Sequence, residues 1–307
     1  MSLRVAIPDL VSPSYFPAIA AVELGLFRRE GLDATLELVF PVTRAYAELR
    51  DGKFDFIGGA AHAPLYAFKD WEGARLLCAL AQHMYWFLVV RADLKVRRGD
   101  LAALKGLRIG AAPGPVDGLR RMLSAVGLDA DKDVKIGPIP AAEGAGVSFG
   151  VSAAKALERG EIDAFWANGM GADLAVNSGV GTLVLDARRG DGPAGAIDYT
   201  FPALVTTEKI TREQPGMARA AIRAIVAAQR LLAEDPTRAT EIGLKLFPVT
   251  EAGMIADLIR RDAPFYTAGI SAEKVAAMNR FAVELGLASK EVAYDKVVAT
   301  EFSSLWQ

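Results

Sequence analysis

The 307-residue chain has little that supports thiol or metal chemistry: one cysteine, Cys78, and two histidines, His62 and His83. A single thiol forms no internal disulfide, and the apolar run 76–80 around Cys78 predicts a buried, unreactive side chain. Two distant histidines and an apolar cysteine do not supply the clustered ligands of a protein metal site. We therefore expect neither a metal nor another cofactor.

Charge of one sign and long apolar runs are also missing. The net charge is −2 and the pI about 5.9, so no electrostatic feature points to nucleic acid. No apolar run approaches the ~20 residues of a membrane-spanning helix. The first residues lack the regions of a secretory signal peptide, so we expect either a cytoplasmic protein or one that has lost its signal peptide.

Two familiar patterns, one catalytic and one nucleotide-binding, are incomplete. Residues 146–150 read G-x-S-x-G, but a nucleophile elbow needs a histidine later in the chain, and both histidines precede Ser148. The stretch 110–114 has neither the spacing nor the lysine of a phosphate-binding loop. These departures argue against a hydrolase and against a nucleotide-binding enzyme.

What is present is a motif that occurs twice, L-x-x-G-x-[apolar]-D-[apolar], at 49–56 and 157–164. In each copy the pattern predicts a helix end, a left-handed glycine and the start of a strand. Small residues follow both copies, at 58–62 and 167–171. Turns from strand to helix are where open α/β sheets bind ligands. The repeat indicates two similar lobes that share one cleft.

The rest of the chain fits an α/β fold of two doubly wound lobes. Strand and helix patterns alternate with short loops, which favours mainly parallel sheets. Polar stretches at 93–100 and 186–196 are predicted crossings between lobes. Amphipathic helices dominate from about residue 213, and we expect this C-terminal segment to pack on the first lobe. Lobe 1 is therefore predicted as residues 1–90 and 197–307, and lobe 2 as 91–196.

Five segments together resemble a known family. They are the helix 15–24 followed by Gly25-Leu26-Phe27 and Glu30-Gly31-Leu32, the step at 49–58, the segment 104–110 (LKGLRIG), the step at 156–166, and the strand 202–206. In order and spacing they are similar to type II periplasmic substrate-binding proteins of ABC transporters. The resemblance is to the NMT1/THI5-like group, which includes sulfonate-, taurine- and nitrate-binding proteins.

The resemblance implies two lobes joined by two crossover strands that close by a hinge on a small molecule. It also implies a monomer that works in the periplasm with ABC permease subunits and catalyses no reaction. Aromatic residues in the presumed turns favour an aromatic or heteroaromatic ligand, such as a thiamine-precursor pyrimidine or an aromatic acid. A sulfonate, which backbone N–H groups can hold, stays the other candidate.

A cytoplasmic enzyme on the same fold is the alternative, resembling either desulfinases of aromatic sulfinates or enzymes of menaquinone synthesis. The related desulfinase relies on a cysteine near the first turn, where this chain has Ser12 and Ser14. The chain also lacks the cysteine-rich motif of the THI5-type pyrimidine synthases. A ligand-sensing module is a third possibility, although no signalling domain is attached.

Ligand contacts are expected where strands end and helices begin, because backbone N–H groups there favour polar acceptors and anions. The predicted contacts are Ser12, Ser14, Tyr15, Ala60, His62, Pro113, Gly114, Asp117, Ser148, Trp166, Asn168, Tyr199 and Phe201. Structural alternatives stay open: helix caps for the two N-terminal serines and His62, a first-turn acid for Asp117, and core packing for Trp166. Tyr85 and Trp86 are predicted to flank the hinge as core residues.

Overall fold

The computed structural model describes residues 3–139 and 148–307. Within these residues the chain forms ten β-strands and twelve α-helices. The strands are β1 (Leu3–Ile7), β2 (Ala34–Leu38), β3 (Phe56–Ala60), β4 (Ala74–Ala79), β5 (Phe87–Arg91), β6 (Arg108–Ala111), β7 (Lys135–Gly137), β8 (Ala164–Ala167), β9 (Gly181–Asp186) and β10 (Pro202–Thr207). The helices are α1 (Phe16–Glu23), α2 (Leu26–Arg29), α3 (Val42–Arg50), α4 (Val116–Ala125), α5 (Phe149–Glu158), α6 (Gly169–Asn177), α7 (Glu208–Glu213), α8 (Pro215–Glu234), α9 (Arg238–Leu246), α10 (Val249–Asp262), α11 (Ala272–Glu284) and α12 (Tyr294–Val297).

The chain divides into two compact units. Unit 1 comprises Met1–Gln82 and Thr200–Gln307, and unit 2 comprises His83–Tyr199. Among the described residues unit 1 carries a five-stranded sheet in the order β2-β1-β3-β10-β4, and unit 2 a five-stranded sheet in the order β7-β6-β8-β5-β9. The predicted α/β fold with two doubly wound lobes is confirmed.

Each sheet contains one antiparallel strand in the fourth position of its order. In unit 1, β10 runs antiparallel to both β3 and β4. In unit 2, β5 runs antiparallel to both β8 and β9. The other four strands of each sheet are therefore parallel, and their carboxyl ends share one edge. The chain enters unit 2 just before β5 and leaves it just before β10, which matches the two predicted crossover strands.

The positions of these crossings differ from the sequence-based ones. The polar stretches at 93–100 and 186–196 both lie inside unit 2, while the chain passes between units after Gln82 and after Tyr199. A lobe boundary after residue 90 also assigns β5 to lobe 1, whereas β5 pairs in the second sheet. A strand buried on both faces has the same apolar composition in either sheet, so its sequence does not reveal its partners.

The repeated motif forms the same helix end in both units. Gly52 and Gly160 take left-handed conformations, with φ of 75° and 70°. In each copy the amide after the glycine donates to the carbonyl five residues earlier, at 2.9 Å and 3.0 Å. This is the hydrogen bond of a Schellman-type C-cap, for which glycine is the preferred residue. The predicted caps are confirmed.

The aspartate of the motif joins neighbouring strands. The Asp55 carboxylate accepts a hydrogen bond from the Arg4 backbone N–H at 2.8 Å, and Asp163 accepts the equivalent bond from Arg108 at 2.9 Å. The Arg108 guanidinium also binds Asp163 through Nε at 2.9 Å and Nη2 at 2.8 Å. The hydrogen bonds and charge of Arg108 lower the pKa of Asp163 to about 2.

The C-terminal helices belong to unit 1, as predicted. Helix α8 packs against α1 and α2, and its Gln229 amide donates to the carbonyls of Ala79 and Leu80 at the end of β4. Residues 16–21 of α1 are all buried, so this helix lies between the sheet and the C-terminal segment. The C-terminal segment therefore completes the core of unit 1.

Candidate functional site

The carboxyl edge of the unit 1 sheet brings together three predicted segments. Ala60 at the end of β3 pairs with Pro202 at the start of β10, and the Ala61 N–H donates to the Phe201 carbonyl at 2.8 Å. The loop of Ser12 to Tyr15 follows β1 at the same edge, because β1 and β3 are parallel. Ligands bind at this edge in open α/β sheets.

The loop after β1 presents a buried hydroxyl. Asp9 accepts the Val11 N–H at 3.0 Å, and the Ser12 carbonyl accepts the Tyr15 N–H at 3.2 Å. The Ser12 hydroxyl is 1% exposed and has no hydrogen-bond partner among the described residues. Neither Ser12 nor Ser14 caps α1, whose N-cap is Tyr15 without a side-chain bond. A role of either serine in ligand contact stays a prediction.

Tyr15 is a buried residue of the same unit that interacts with Tyr46. Burial of the Tyr46 phenol and, to a smaller extent, its electrostatic interaction with Tyr15 raise the pKa of Tyr46 well above the usual value. The Tyr46 hydroxyl donates to the Ala60 carbonyl at 3.3 Å. This phenol therefore stays neutral and fixes the end of β3, and Tyr15 stays a predicted ligand contact.

His62 is completely buried and ties β3 to the segment before β10. Its Nδ1 lies 2.9 Å from the Thr200 hydroxyl oxygen, and its ring packs edge-on against Phe281 of α11 at 5.4 Å. Its backbone N–H also donates to the Thr200 hydroxyl at 3.4 Å. These contacts make His62 a positioning residue of the edge, and its ligand contact stays a prediction. Thr200 has no signal in the sequence that would have selected it.

The matching edge of unit 2 is built around Trp166. Trp166 in β8 pairs with Ala111 at the end of β6 and with Leu88 in β5. Its indole N–H donates to the Pro115 carbonyl at 2.9 Å, and the side chain is 0% exposed. The indole therefore anchors the turn before α4, and this N–H is not available as a donor to a ligand in this arrangement.

Three aromatic rings form a row along the unit 2 edge. The ring centroids of Trp166 and Trp86 lie 6.1 Å apart, and those of Trp86 and Tyr85 lie 4.6 Å apart. Tyr85 and Trp86 come directly before β5, which is antiparallel, so they reach the edge where β6 and β8 end. The core packing predicted for Tyr85 and Trp86 thus occurs at the candidate site itself.

The turn before α4 and the first turn of this helix contain three predicted contacts. Gly114 has φ of 90°, and its carbonyl accepts the Asp117 N–H at 3.1 Å. Asp117 is buried in the first turn of the helix, whereas Pro113 is exposed. A carboxylate there interacts favourably with the helix dipole. The first-turn alternative for Asp117 agrees with this position, and its ligand contact stays a prediction.

Asn168 and Ser148 meet where α5 and α6 begin. The Asn168 side-chain oxygen caps α6 by accepting the Gly171 N–H at 3.1 Å, and its amide nitrogen lies 3.5 Å from the Ser148 hydroxyl. A Cβ on Gly150 would lie 2.5 Å from the Asn168 oxygen, so glycine is required for this approach. Asn168 is engaged by groups of its own unit, and a role in ligand binding stays a prediction.

Tyr199 and Phe201 fall on opposite sides of the boundary between units. Tyr199 ends unit 2, and the Arg121 guanidinium lies 5.7 Å from its ring centroid. Phe201 belongs to unit 1, is fully buried, and has the Lys274 ammonium 5.7 Å from its ring centroid. The structure therefore does not bring these two rings together as one wall within a unit.

One buried cation of the unit 2 edge is missing from the predicted contacts. Arg188, in the turn after β9, is 3% exposed, and its guanidinium carbon lies 5.8 Å from the Tyr85 ring centroid. The sequence carries a signal for it: Arg188 comes two residues after the carboxyl end of β9. The polar composition of 186–196 led instead to its prediction as a crossing.

Thiol and hydrolase chemistry have no visible support in the described residues. Cys78 is buried in β4, and burial raises the pKa of its thiol. Gly146 and Val147 of the G-x-S-x-G pattern lie outside the described residues, and Ser148 is the N-cap of α5. No three His, Cys, Asp or Glu side chains group into a metal site between residues 3 and 139 or 148 and 307.

The family match extends over most of the chain. The family described as "NMT1/THI5 like" matches residues 12–239, which include both copies of the repeated motif and both sheet edges. The chain belongs to the NMT1/THI5-like family. No curated protein matches it significantly in sequence.

Solved structures resemble this NMT1/THI5-like protein over nearly its whole length. A protein of Bordetella bronchiseptica RB50 has a TM-score of 0.80 at 22% identity, covering 99% of this chain and 96% of its own. The alkanesulfonate-binding protein SsuA from Xanthomonas axonopodis pv. citri, bound to MOPS, has a TM-score of 0.72 at 16% identity, covering 96% and 97%. The desulfurization enzyme DSZB, as a cysteine-to-serine mutant in complex with biphenyl-2-sulfinic acid, has a TM-score of 0.65 at 18% identity, covering 99% and 98%. These similarities show a shared fold.

In the described part of this NMT1/THI5-like chain, no helix has the length and apolarity needed to span a membrane.

Proposed function

We propose that this chain is the solute-binding receptor of an ABC importer and that it captures a small organic ligand without changing it chemically. The observation that carries the proposal is the family match across both units, together with full-length similarity to the alkanesulfonate-binding protein SsuA. The proposal includes ABC permease subunits as partners and a periplasmic location. The ligand is aromatic or heteroaromatic, or a sulfonate.

The side chains at the two sheet edges are suited to binding rather than to covalent catalysis. Unit 1 offers the Ser12 hydroxyl and Tyr15, and unit 2 offers a row of rings and a guanidinium. Each aromatic ring that stacks on an aromatic ligand adds about 0.5–1.5 kcal/mol to the binding free energy, beyond the contribution of the buried area. These groups supply contact area and hydrogen bonds, which is what reversible capture requires.

The enzymatic alternative rests on the similarity to DSZB, which was solved with its ligand as a cysteine-to-serine mutant. The one cysteine of this chain, Cys78, lies buried in β4 with a raised thiol pKa. A thiolate nucleophile requires the opposite, a lowered pKa and access to the substrate. This position of Cys78 favours the receptor over a thiol-dependent desulfinase.

The test is a thermal-shift screen with thiamine-precursor pyrimidines, aromatic carboxylates, taurine, alkylsulfonates and MOPS, with mass spectrometry on every hit. A ligand at 100 times its Kd stabilises the fold by about 2.7 kcal/mol. We expect at least one hit, recovered with unchanged mass. A product of new mass supports the enzyme instead, and the lack of any shift across the set contradicts the proposal.

Ser12→Ala is the matched site variant for this screen. Because the Ser12 hydroxyl is buried without a described partner, its removal costs the fold nothing or stabilises it. We expect weaker binding of the hit, with a melting temperature in the absence of ligand that is unchanged or higher. Cys78→Ser, within β4, is the control for thiol chemistry and should leave binding unchanged.

A further inference from the structure

A cavity of about 490 Å³ lies at the amino edge of the unit 1 sheet, opposite to the edge that carries the predicted ligand contacts of this unit. Thr207 at the end of β10 pairs with Ala74 at the start of β4, and the cavity is formed beside this end of the two strands, largely by the segments 70–72 and 290–296. Its volume falls in the range of small-molecule sites. The cavity therefore belongs to one unit and is separate from the candidate site described above.

Trp71 lines this cavity and carries a polar group without a partner. Its side chain is 1% exposed, and its indole N–H has no hydrogen-bond partner within the described part of the chain. A buried donor without a partner costs free energy, so folded proteins rarely leave one unsatisfied. An acceptor atom bound in the cavity against Trp71 would supply the missing hydrogen bond.

The backbone at Trp71 is strained and held in place. Asp70 and Trp71 have φ of 48° and 68°, a left-handed conformation that is unfavourable for residues other than glycine. The Asp70 carboxylate accepts hydrogen bonds from the Ser289 backbone N–H at 2.7 Å and from the Ser289 hydroxyl at 2.6 Å. Strain of this kind persists where surrounding contacts enforce it, and it is concentrated at ligand sites. The two bonds join the segments that form the cavity.

Exposed charges of both signs surround the cavity. Lys290 and Lys296 line it with ammonium groups, and Glu72 and Glu291 line it with carboxylates. None of these four side chains makes an ion pair within 4 Å with another described residue. They are therefore available to a bound molecule without the loss of an existing pair.

The combination of groups selects a class of ligand. A simple anion in this cavity would lie near the carboxylates of the two glutamates, and a simple cation would leave the Trp71 N–H and the two lysines without a partner. The remaining charges, Arg75 and Glu208, already bind each other at 2.7 Å. A molecule that carries one charge of each sign is the one that matches the unpaired groups.

We propose that this cavity binds a small zwitterion of the size of an amino acid or a dipeptide. The carboxylate of the ligand accepts hydrogen bonds from the Trp71 N–H and from the ammonium groups of Lys290 and Lys296. The ammonium group of the ligand binds the carboxylates of Glu72 and Glu291. This site does not depend on the proposed receptor function, because it lies at the other edge of the sheet.

The experiment measures Kd by calorimetry for alanylalanine and for two analogues that each lack one charge, N-acetyl-alanylalanine and alanylalanine amide. We expect the dipeptide to bind at least tenfold more tightly than either analogue. The double variant Lys290→Gln with Lys296→Gln should remove the preference over the amide. The double variant Glu72→Gln with Glu291→Gln should remove the preference over the N-acetyl form. All four side chains are exposed, so these variants should fold normally.

Trp71→Phe keeps an aromatic ring but removes the indole N–H, and it should weaken binding of alanylalanine about tenfold. Lys209→Gln is the matched control, because this exposed lysine of α7 lines a neighbouring cavity and not this one. It should leave the Kd unchanged.

Three results overturn the inference: no binding of alanylalanine, equal binding of the dipeptide and its analogues, or full affinity in the lysine double variant. Loss of dipeptide binding in Ser12→Ala, with full affinity in the cavity variants, also overturns it, because the zwitterion then binds at the carboxyl edge. None of these results bears on whether the protein is a receptor, which the thermal-shift screen tests separately.

Discussion

The two units start their central strands with the same motif and continue them differently. Three residues after the motif aspartate, unit 1 has Gly58 and unit 2 has Trp166. A Cβ on Gly58 would lie 3.2 Å from both the Ala18 Cβ and a Leu80 methyl group, so helix α1 packs directly on the strand. In unit 2 the same position carries the largest side chain, which joins an aromatic row.

This difference distinguishes the residues that form the shared fold from those of the candidate binding surface. The glycine cap and the aspartate bond to the first strand are equivalent in the two units. The residues that follow them diverge in size and chemistry. The repeated motif is therefore structural, and ligand chemistry has to be sought in the segments after it.

The largest expected effect comes from removing the ring that distinguishes unit 2. Trp166→Ala should lower the free energy of unfolding by about 4 kcal/mol, because large buried aromatic side chains leave cavities of that cost. Guanidinium denaturation monitored by circular dichroism measures the loss. Trp166→Phe keeps most of the ring and gives up the bond to the Pro115 carbonyl, so it should cost about 1 kcal/mol beyond the small change in packing. A loss below about 1 kcal/mol for the alanine variant means that the ring is not part of the unit 2 core.

The second effect concerns the motif aspartate of unit 2, which pairs with the Arg108 guanidinium. The pKa of Asp163 is lowered from 3.8 to about 2, so its pair with Arg108 stabilises the fold above about pH 4, and this stabilisation is lost as pH falls towards 2. The shift corresponds to about 2 kcal/mol. Urea unfolding of the unmodified protein and of Asp163→Asn, between pH 5 and pH 2.5, should show stabilities that converge as pH falls. Asp55→Asn, whose carboxylate accepts the Arg4 backbone N–H, is the matched variant for loss of the carboxylate at the same position of the other motif copy. Parallel curves for Asp163→Asn contradict the assignment.

The smallest expected effect concerns the two glycine caps, whose contributions to stability should be the same in both units. Gly52→Ala and Gly160→Ala should each lower stability by about 1 kcal/mol, because both glycines have positive φ. The two losses should agree within about 0.5 kcal/mol, as measured by thermal unfolding. Gly216→Ala is the control: this glycine of α8 has no atom within 4 Å of the added Cβ and no positive φ, so its replacement should be neutral or slightly stabilising. Clearly unequal losses at the two caps show that the copies of the motif are not equivalent.

Much of the fold could be predicted from the sequence because its signals are local. The two glycine caps, the strand starts after them and the amphipathic helices from residue 215 onward depend on residues close in the chain. Their order and spacing also identify the family. The sheet to which β5 belongs could not be predicted from local signals, because Phe87 pairs with residues about 80 and 100 positions later in the chain.

The candidate site was less predictable, for a related reason. Candidates chosen by local pattern, such as His62 and Asn168, turn out to bond within their own units. Arg188 reaches the carboxyl edge of the unit 2 sheet only because β9 lies next to β5, and the polar composition of its turn gives no sign of its burial. Burial depends on all packed elements together, so it cannot be read from a short segment.

The antiparallel strand β10 has a consequence for synthesis on the ribosome. Residues 202–207 lie between β3 and β4, so these two strands have no shared neighbour until about two-thirds of the chain has been made. All strands of the second sheet, in contrast, come from one continuous stretch of the chain, His83–Tyr199. We therefore expect unit 2 to complete its sheet first, although it is encoded later than β1 to β4. Until β10 has been synthesised, β3 has an unpaired edge that can pair with strands of other chains.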